Sequence, residues 1–431
     1  MIRIIPKSDR EGRLEFMARL ASRSVGVDSA LLGVVSAIIE DVRTRGDIAL
    51  LEYTSRFDHM ELGVSDLRVS REVLQQSASR VENGVLLALR ASIRNVRAFH
   101  ERQREESWID TTQDQVRLGQ KITPIESVGL YVPGGTAAYP SSVVMNVVPA
   151  QVAGVTRIAV TTPPGTVRNN PAVAAALVEL GVNEVFAVGG AQAIAALAFG
   201  TETIPRVDKI TGPGNRYVAA AKKLVFGSVG IDSIAGPSEV VIVGDESARA
   251  DYIAADLLAQ AEHGEDASAV LITTSEIVAN EVVTEIERQL SSLPRTSIAR
   301  ASLNSYGAIV LVESVSEASD IVNELAPEHL QLLTTDNEAT AEGIKHAGAI
   351  FFGPYSPEAV GDYFAGPNHV LPTGRTARFS SALGVYDFVK RTSLIGYSKL
   401  AMGNAAEQIA SLANAEGLVG HARSALIRLE K

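Results

Sequence analysis

RIAVTTPPG (157–165), AVAAALVELG (172–181), VFAVGG (185–190) and AQAIAALAFG (191–200) follow one another with little between them. The first and third are short apolar runs that stop at Gly or Pro. The second and fourth are alanine-rich and end in glycine. Strand, helix, strand, helix is the texture of βαβ units around a parallel sheet. It begins with VGLYVPGG (128–135) and continues through VDKITGPGN (207–215) and the helical RYVAAAKKLVFG (216–227). Residues 131–236 are therefore expected to form one α/β domain.

The alternation resumes with SEVVIVGD (238–245), SAVLITTS (268–275), GAIVLVES (307–314) and GAIFFG (348–353), separated by helical stretches at 248–263, 276–291 and 316–324. This predicts a second α/β unit over 237–385. The helical region 26–130, with amphipathic runs at 31–51 and 73–105, is expected to join it. Residues 1–25 read as an N-terminal helical arm and 386–431 as a helical C-terminal tail. The fold class is α/β, with two Rossmann-like parallel-sheet domains, a helical arm and a helical tail.

A chain of 431 residues exceeds what one compact core usually holds, which agrees with two domains. The net charge of −11 argues against a nucleic-acid partner, because phosphate contacts need clustered Lys and Arg. No apolar run reaches the roughly 18 residues of a membrane span. The opening MIRIIPKSDREGR lacks the apolar core of a signal peptide, so a cytoplasmic protein is expected. There is no cysteine. Disulfides, thiolate metal sites and a sulfur nucleophile are excluded, and any zinc must sit on nitrogen and oxygen.

In open α/β sheets, ligands sit beyond the carboxyl ends of strands. Four glycine loops are read at such ends: Gly134–Gly135, Gly189–Gly190, Gly212-Pro213-Gly214-Asn215 and Gly236-Pro237-Ser238. None is GxGxxG. One glycine pair is more often a plain turn. Four in one region point to a nucleotide or another anionic ligand. Tyr131, Gln192 and Asn215 stand beside them, able to orient a cofactor or simply to satisfy a turn.

Seven histidines are present. His59, His100 and His346 lie in polar surroundings and are expected at the surface. In LLAQAEHG (257–264), Gln260 and His263 are i, i+3 and share a helix face before Gly264 ends the helix. A lone His there is more often a cap or a buried side chain than a ligand. Further donors come from the Gly/Pro-rich run 353–374, with Glu358, Asp362 and His369, and from EGLVGH (416–421), with Glu416 and His421. Two His, one Asp and one Gln would suit a borderline divalent ion such as Zn2+. In LAPEHLQL (325–332), Pro327 suits the first turn of a helix, which would place Glu328 and His329 at its N-terminus and keep the His ring neutral.

At these residues the sequence resembles the histidinol dehydrogenase family, from Ile39 to His421. The resemblance is carried by YVPGGTAAYPSSVVMN (131–146), GGAQAIAALAFGT (189–201), KITGPGNRYVAAAK (209–222), DSIAGPSEVVIV (232–243), DLLAQAEHG (256–264), APEHLQ (326–331) and 353–391. It implies oxidation of L-histidinol to L-histidine in two NAD-dependent steps through a bound aldehyde, at the end of histidine biosynthesis. It implies zinc on Gln260, His263, Asp362 and His421, and an acid–base pair of Glu328 and His329. Implied substrate contacts are Ser238, Gln260, His263, His329, Asp362, His369, Glu416 and His421. Tyr131, Gln192 and Asn215 would contact NAD. The resemblance also implies an intertwined homodimer, with Glu416 and His421 reaching into the partner's site.

Three alternatives remain at this point. A zinc hydrolase would use the same ligands but ignore NAD+. A related dehydrogenase would take another small amino or sulfonated alcohol. A silent binding protein would not need the Glu328–His329 pair.

Overall fold

The computed structural model describes residues 2–23, 28–134 and 139–430. Gly135, named above, lies outside the described residues. Fourteen strands are seen among them: β1 (Arg3–Ile5), β2 (Trp108–Thr111), β3 (Arg117–Pro124), β4 (Ser127–Tyr131), β5 (Arg157–Thr162), β6 (Glu184–Ala187), β7 (Lys209–Thr211), β8 (Gly230–Ile231), β9 (Glu239–Gly244), β10 (Ser268–Thr273), β11 (Gly307–Leu311), β12 (His329–Leu333), β13 (Ala349–Phe352) and β14 (Val389–Gly396). They form three sheets, in the orders β6-β5-β4-β7-β8, β1-β11-β10-β9-β12-β13 and β14-β3-β2.

The first two sheets are parallel throughout. Their central strands, such as β9, β10, β11 and β12, are short apolar runs buried on both faces, which only helices on each side can achieve. In the five-stranded sheet the order reverses between β4 and β7; in the six-stranded sheet, between β9 and β12. Each reversal opens a crevice where two crossovers part company. The parallel α/β architecture expected from sequence is what the chain adopts.

Three regions differ from expectation. β1 adds an edge strand to β11, so the N-terminal arm is not wholly helical. Helix Arg10–Ser22 packs its Phe16, Met17 and Leu20 against β9 to β12 of that sheet. The helices of residues 26–130 do not join the 237–385 unit. Leu31, Val35, Ile38, Ile39 and Val42, spaced along helix Ser29–Arg45, bury against the helices of the five-stranded sheet, in one cluster with Ile194 and Leu197. Leu74, Leu89 and Val96 cover its other face with Val143 and Leu177. Neighbours in sequence suggested one sheet; the apolar stripes dock on the other.

The tail is not helical from 386. β14 pairs antiparallel with β3 over its whole length, from Val389 opposite Pro124 to Gly396 opposite Arg117. Helices Lys399–Ala415 and Val419–Leu426 follow and pack on each other through Ala410, Ala413 and Ala422. They leave Leu400, Leu412 and Val419 at 63%, 70% and 69% exposure, an apolar surface that this chain does not cover. No helix among the described residues is long and apolar enough to cross a membrane.

Candidate active site

A cavity of about 720 Å3 opens at the carboxyl ends of β4 to β7, lined by Tyr131, Gly134, Pro163, Gly190, Gln192 and Asn215. Glycine is required at its floor. Gly190 has φ +67°, and a Cβ on Gly189 would stand 2.7 Å from the Pro163 ring. The Tyr131 hydroxyl accepts from the Gly190 N–H at 3.1 Å, fixing the turn that starts helix Gly190–Phe199. Gln192 is buried in the first turn of that helix. Asn215 caps helix Arg216–Val225, its Oδ1 accepting from the Tyr217 and Val218 N–H groups. Behind the loop, the buried Lys222–Asp232 ion pair holds Gly212 from both sides: Lys222 donates to its carbonyl and Asp232 accepts from its N–H.

A second constellation lies on the six-stranded sheet, at the opposite end of the strands. Glu328 precedes β12, His329 opens it, and Ser238 and Glu239 stand at the start of β9. His329 pairs in register with Val240, so the two strand beginnings are adjacent. This corrects two expectations. Gly236-Pro237-Ser238 leads into a strand rather than out of one. Pro327, Glu328 and His329 enter a strand, not a helix: the carbonyls of Pro327 and Glu328 accept from Gly348 and Ala349, next to β13. HLQLL is buried at every position, the signature of a central parallel strand.

His329 is 4% exposed. Its Nδ1 lies 3.2 Å from the Glu239 carbonyl, which sets that nitrogen as the donor. Nε2 then carries the lone pair, and it has no partner. Burial pushes the ring's pKa down to about 3, so the ring is neutral near pH 7. Burial, not a helix terminus, keeps it neutral. Burial also pushes the Glu328 carboxyl well above the usual carboxylate range, against a hydrogen bond from the Glu239 N–H at 3.0 Å to Glu328 Oε2. His329 Nδ1 is 3.7 Å from Glu328 Oε2 and 3.8 Å from Glu358 Oε1.

Side chains from two further elements meet this pair. Gln260 ends in the last turn of helix Ala250–Ala261, and His263 sits just past the helix end rather than on it. After β13 the chain doubles back, tied by the Gln331 amide donating to the Ser356 carbonyl. Gly361 packs on the Phe351 ring, where a Cβ would stand 2.7 Å away. Helix Glu358–Tyr363 thus presents Glu358 and Asp362, i and i+4, on one face. His263, Glu358 and Asp362 offer ligand atoms all within 4.8 Å of one another. Burial raises the Asp362 carboxyl to about 6 and lowers His369 to about 4. The His369 Nδ1 is held 3.1 Å from the Asp362 carbonyl.

Sequence alone named Glu358 as a candidate donor but left it out of the implied ligand set. Its i, i+4 spacing to Asp362 was the available signal. Glu239 and Arg23 were missed. The Arg23 guanidinium is buried 3.6 Å from Glu239 and donates to the Ser238 carbonyl, bracing the β9 entry. His100, expected at the surface, is fully buried. It closes the stripe Leu89, Ser92, Val96, His100 and binds the Val96 carbonyl at 2.8 Å. Glu416 and His421 are exposed on the tail, and His421 is not in the ligand cluster of the described residues.

The sequence model described as histidinol dehydrogenase matches residues 21–429. The chain belongs to the histidinol dehydrogenase family. A "Histidinol dehydrogenase" of Geobacillus kaustophilus is 57% identical over 395 residues, 91% of this chain and 93% of that protein. One of Geobacter sulfurreducens is 50% identical over 430 residues, 100% of both chains. The crystal structure of histidinol dehydrogenase from Elizabethkingia anophelis superposes with a TM-score of 0.93 at 36% identity, covering 100% of this chain and 98% of that one.

The zinc that the family resemblance implies can be tested against the donors present. Gln260 is fully buried, and neither its Oε1 nor its Nε2 has a partner. A buried polar group left unpaired costs about 1–3 kcal/mol, a penalty that a bound cation relieves through the amide oxygen. His263 and Asp362 add one nitrogen and one carboxylate oxygen. This donor set suits a borderline divalent ion.

Proposed function

We propose that this chain oxidises L-histidinol to L-histidine with two NAD+, through histidinal that stays bound. The observation that carries this reading is the unpaired Nε2 of a buried, neutral His329, on the strand whose first residues face the His263, Glu358 and Asp362 cluster, in a chain of this family. NAD+ in the cavity of Tyr131, Gln192 and Asn215 is the hydride acceptor in both steps. A Zn2+ held by Gln260, His263, Asp362 and His421 of the partner subunit would anchor the substrate's imidazole and amine.

In the first step His329 Nε2 takes the hydroxyl proton as the C–H hydride leaves, giving the aldehyde. Its Nδ1–H, tied to the Glu239 carbonyl, fixes the ring for that transfer. In the second step Glu328 takes a proton from water as the water adds to the aldehyde, and His329 gives the proton it took in the first step to the former carbonyl oxygen, which yields the gem-diol and leaves Nε2 free again. His329 takes a proton from the gem-diol as the second hydride leaves. Ser238, His369 and Glu416 of the partner subunit hold the substrate. The exposed apolar face of the tail favours a homodimer with tail exchange, and the domain boundaries follow the sheets. A cytoplasmic location is part of the same proposal.

The test is NADH yield per L-histidinol, with and without chelator. Two NADH and loss of activity on metal removal are expected; one NADH with free aldehyde would overturn the two-step reading. Glu328→Gln should slow oxidation of added histidinal about 100-fold and histidinol oxidation far less. Equal losses in both steps would contradict its role.

A further inference from the structure

The cofactor cavity holds a charged group that the chemistry above does not use. Asp58, the last residue of helix Asp47–Asp58, lines it together with Tyr53, Phe57 and Tyr131. Its Oδ2 is buried and has no hydrogen-bond partner. Burial holds this carboxyl above its usual pKa, and the nearby His59 opposes the shift. A carboxylate oxygen kept from water without a donor is costly, and inside a ligand cavity the donor comes from the ligand. Beside it, the Tyr53 and Phe57 rings stack with centroids 5.6 Å apart and planes 10° from parallel. A stacked pair leaves an outer ring face on which a purine base can continue the stack. A base wall next to an unpaired carboxylate is the chemistry that receives a nucleoside: the ring stacks, and the ribose hydroxyls donate.

We propose that Asp58 selects the dinucleotide, accepting the 2′-hydroxyl of the adenosine ribose of NAD+ and repelling the 2′-phosphate of NADP+. This rests on assigning the cavity to the cofactor. No GxGxxG loop is present, so the usual acidic residue some 20 positions beyond it has no counterpart here. A helix outside the sheet supplies the same carboxylate from across the cavity. Arg56 also lines the cavity and is the one cationic side chain among its described lining residues. Its guanidinium lies over the Phe57 ring, 5.3 Å from the centroid, and is exposed to solvent. It is screened there, whereas Asp58 is not.

The experiment is calorimetric binding of NAD+ and of NADP+ to the metal-loaded full chain, followed by kcat/KM for each with L-histidinol. The wild type should bind NAD+ at least about tenfold more tightly than NADP+. Asp58→Asn keeps the shape and removes the charge, so the preference should fall at least about tenfold. Asp58→Ala should also weaken NAD+ about tenfold while leaving kcat at saturating NAD+ near the wild-type value. Both variants should unfold at the wild-type temperature or above, since Asp58 Oδ2 has no partner to lose. A preference unchanged within about twofold in both variants overturns the role of Asp58 alone. Failure of the wild type to bind NAD+ overturns the cofactor assignment, and this proposal with it.

Discussion

In the five-stranded sheet the strand order reverses between β4 and β7, and the cavity opens at the carboxyl ends of those strands. In the six-stranded sheet it reverses between β9 and β12, and the polar cluster gathers at the amino ends. The difference follows from what each end offers. At carboxyl ends the next helices begin, and their N–H groups favour the phosphates of a dinucleotide. At amino ends the preceding helices finish, and their carbonyls favour a cation. At the carboxyl end of the six-stranded sheet, Asp245 ties the ends of β9 and β12 together. Its backbone N–H donates to the Leu333 carbonyl, and its carboxylate accepts from Ser247 and from the Thr335 N–H. On the function proposed above, one sheet would carry the anionic cofactor and the other the cationic centre.

Separate ends should answer separately to substitution. His329→Asn should lower kcat about 100- to 10,000-fold in both oxidations while leaving the NAD+ dissociation constant unchanged. A cofactor affinity that moved equally would break the division. Asp362→Asn should weaken zinc binding about 100-fold or more, read by competition with a chelating dye, again without changing NAD+ affinity.

Zinc binding should also fall with acid, about tenfold per pH unit below about 6, where burial places the Asp362 carboxyl. In the metal-free protein the sign is the reverse. A carboxyl with a raised folded pKa stabilises the fold at low pH and loses that contribution as pH rises through about 6. Zinc should therefore raise the unfolding temperature more at pH 8 than at pH 5. An equal rise at both would remove Asp362 from the ligand set.

Tyr131→Phe removes the acceptor for the Gly190 N–H and should raise KM for NAD+ about fivefold, with zinc content intact. Asp245→Ala should leave kcat/KM within about twofold but cost about 1–3 kcal/mol of stability. Burial alone would raise the Asp245 pKa, but hydrogen bonds from Ser247 and Thr335 outweigh it and hold the carboxyl low. That stability is present above the ordinary carboxylate pKa and is lost as pH falls through the lower folded value. A large loss of activity in Asp245→Ala would mean that the carboxyl end is also used.

The parallel strands were legible because VFAVGG and SAVLIT are continuous apolar runs between glycine-ended helices. The antiparallel β14–β3 pair was not. VKRTSLIG and RLGQKITP are half polar, and their partnership spans some 270 positions of chain. β12 was misread because Pro327 before Glu328 fits a helix start as well as a strand entry; the apolar HLQLL behind them was the better guide. Gln260, His263 and Asp362 could be named from sequence through the family resemblance. Their meeting depends on the turn back at Ser356 and on Gly361 against Phe351, neither of which has a local pattern. Asp58 gave no signal, because a carboxylate at a helix end is ordinary until its burial is seen.

The most direct measurement is anomalous diffraction at the zinc edge from crystals of the metal-loaded protein. The expected result is a peak at the amino ends of β9 and β12, within bonding reach of Gln260, His263 and Asp362. A peak at the carboxyl ends of that sheet, or none shared by those three side chains, would contradict the assignment of a cation to one sheet end and a dinucleotide to the other.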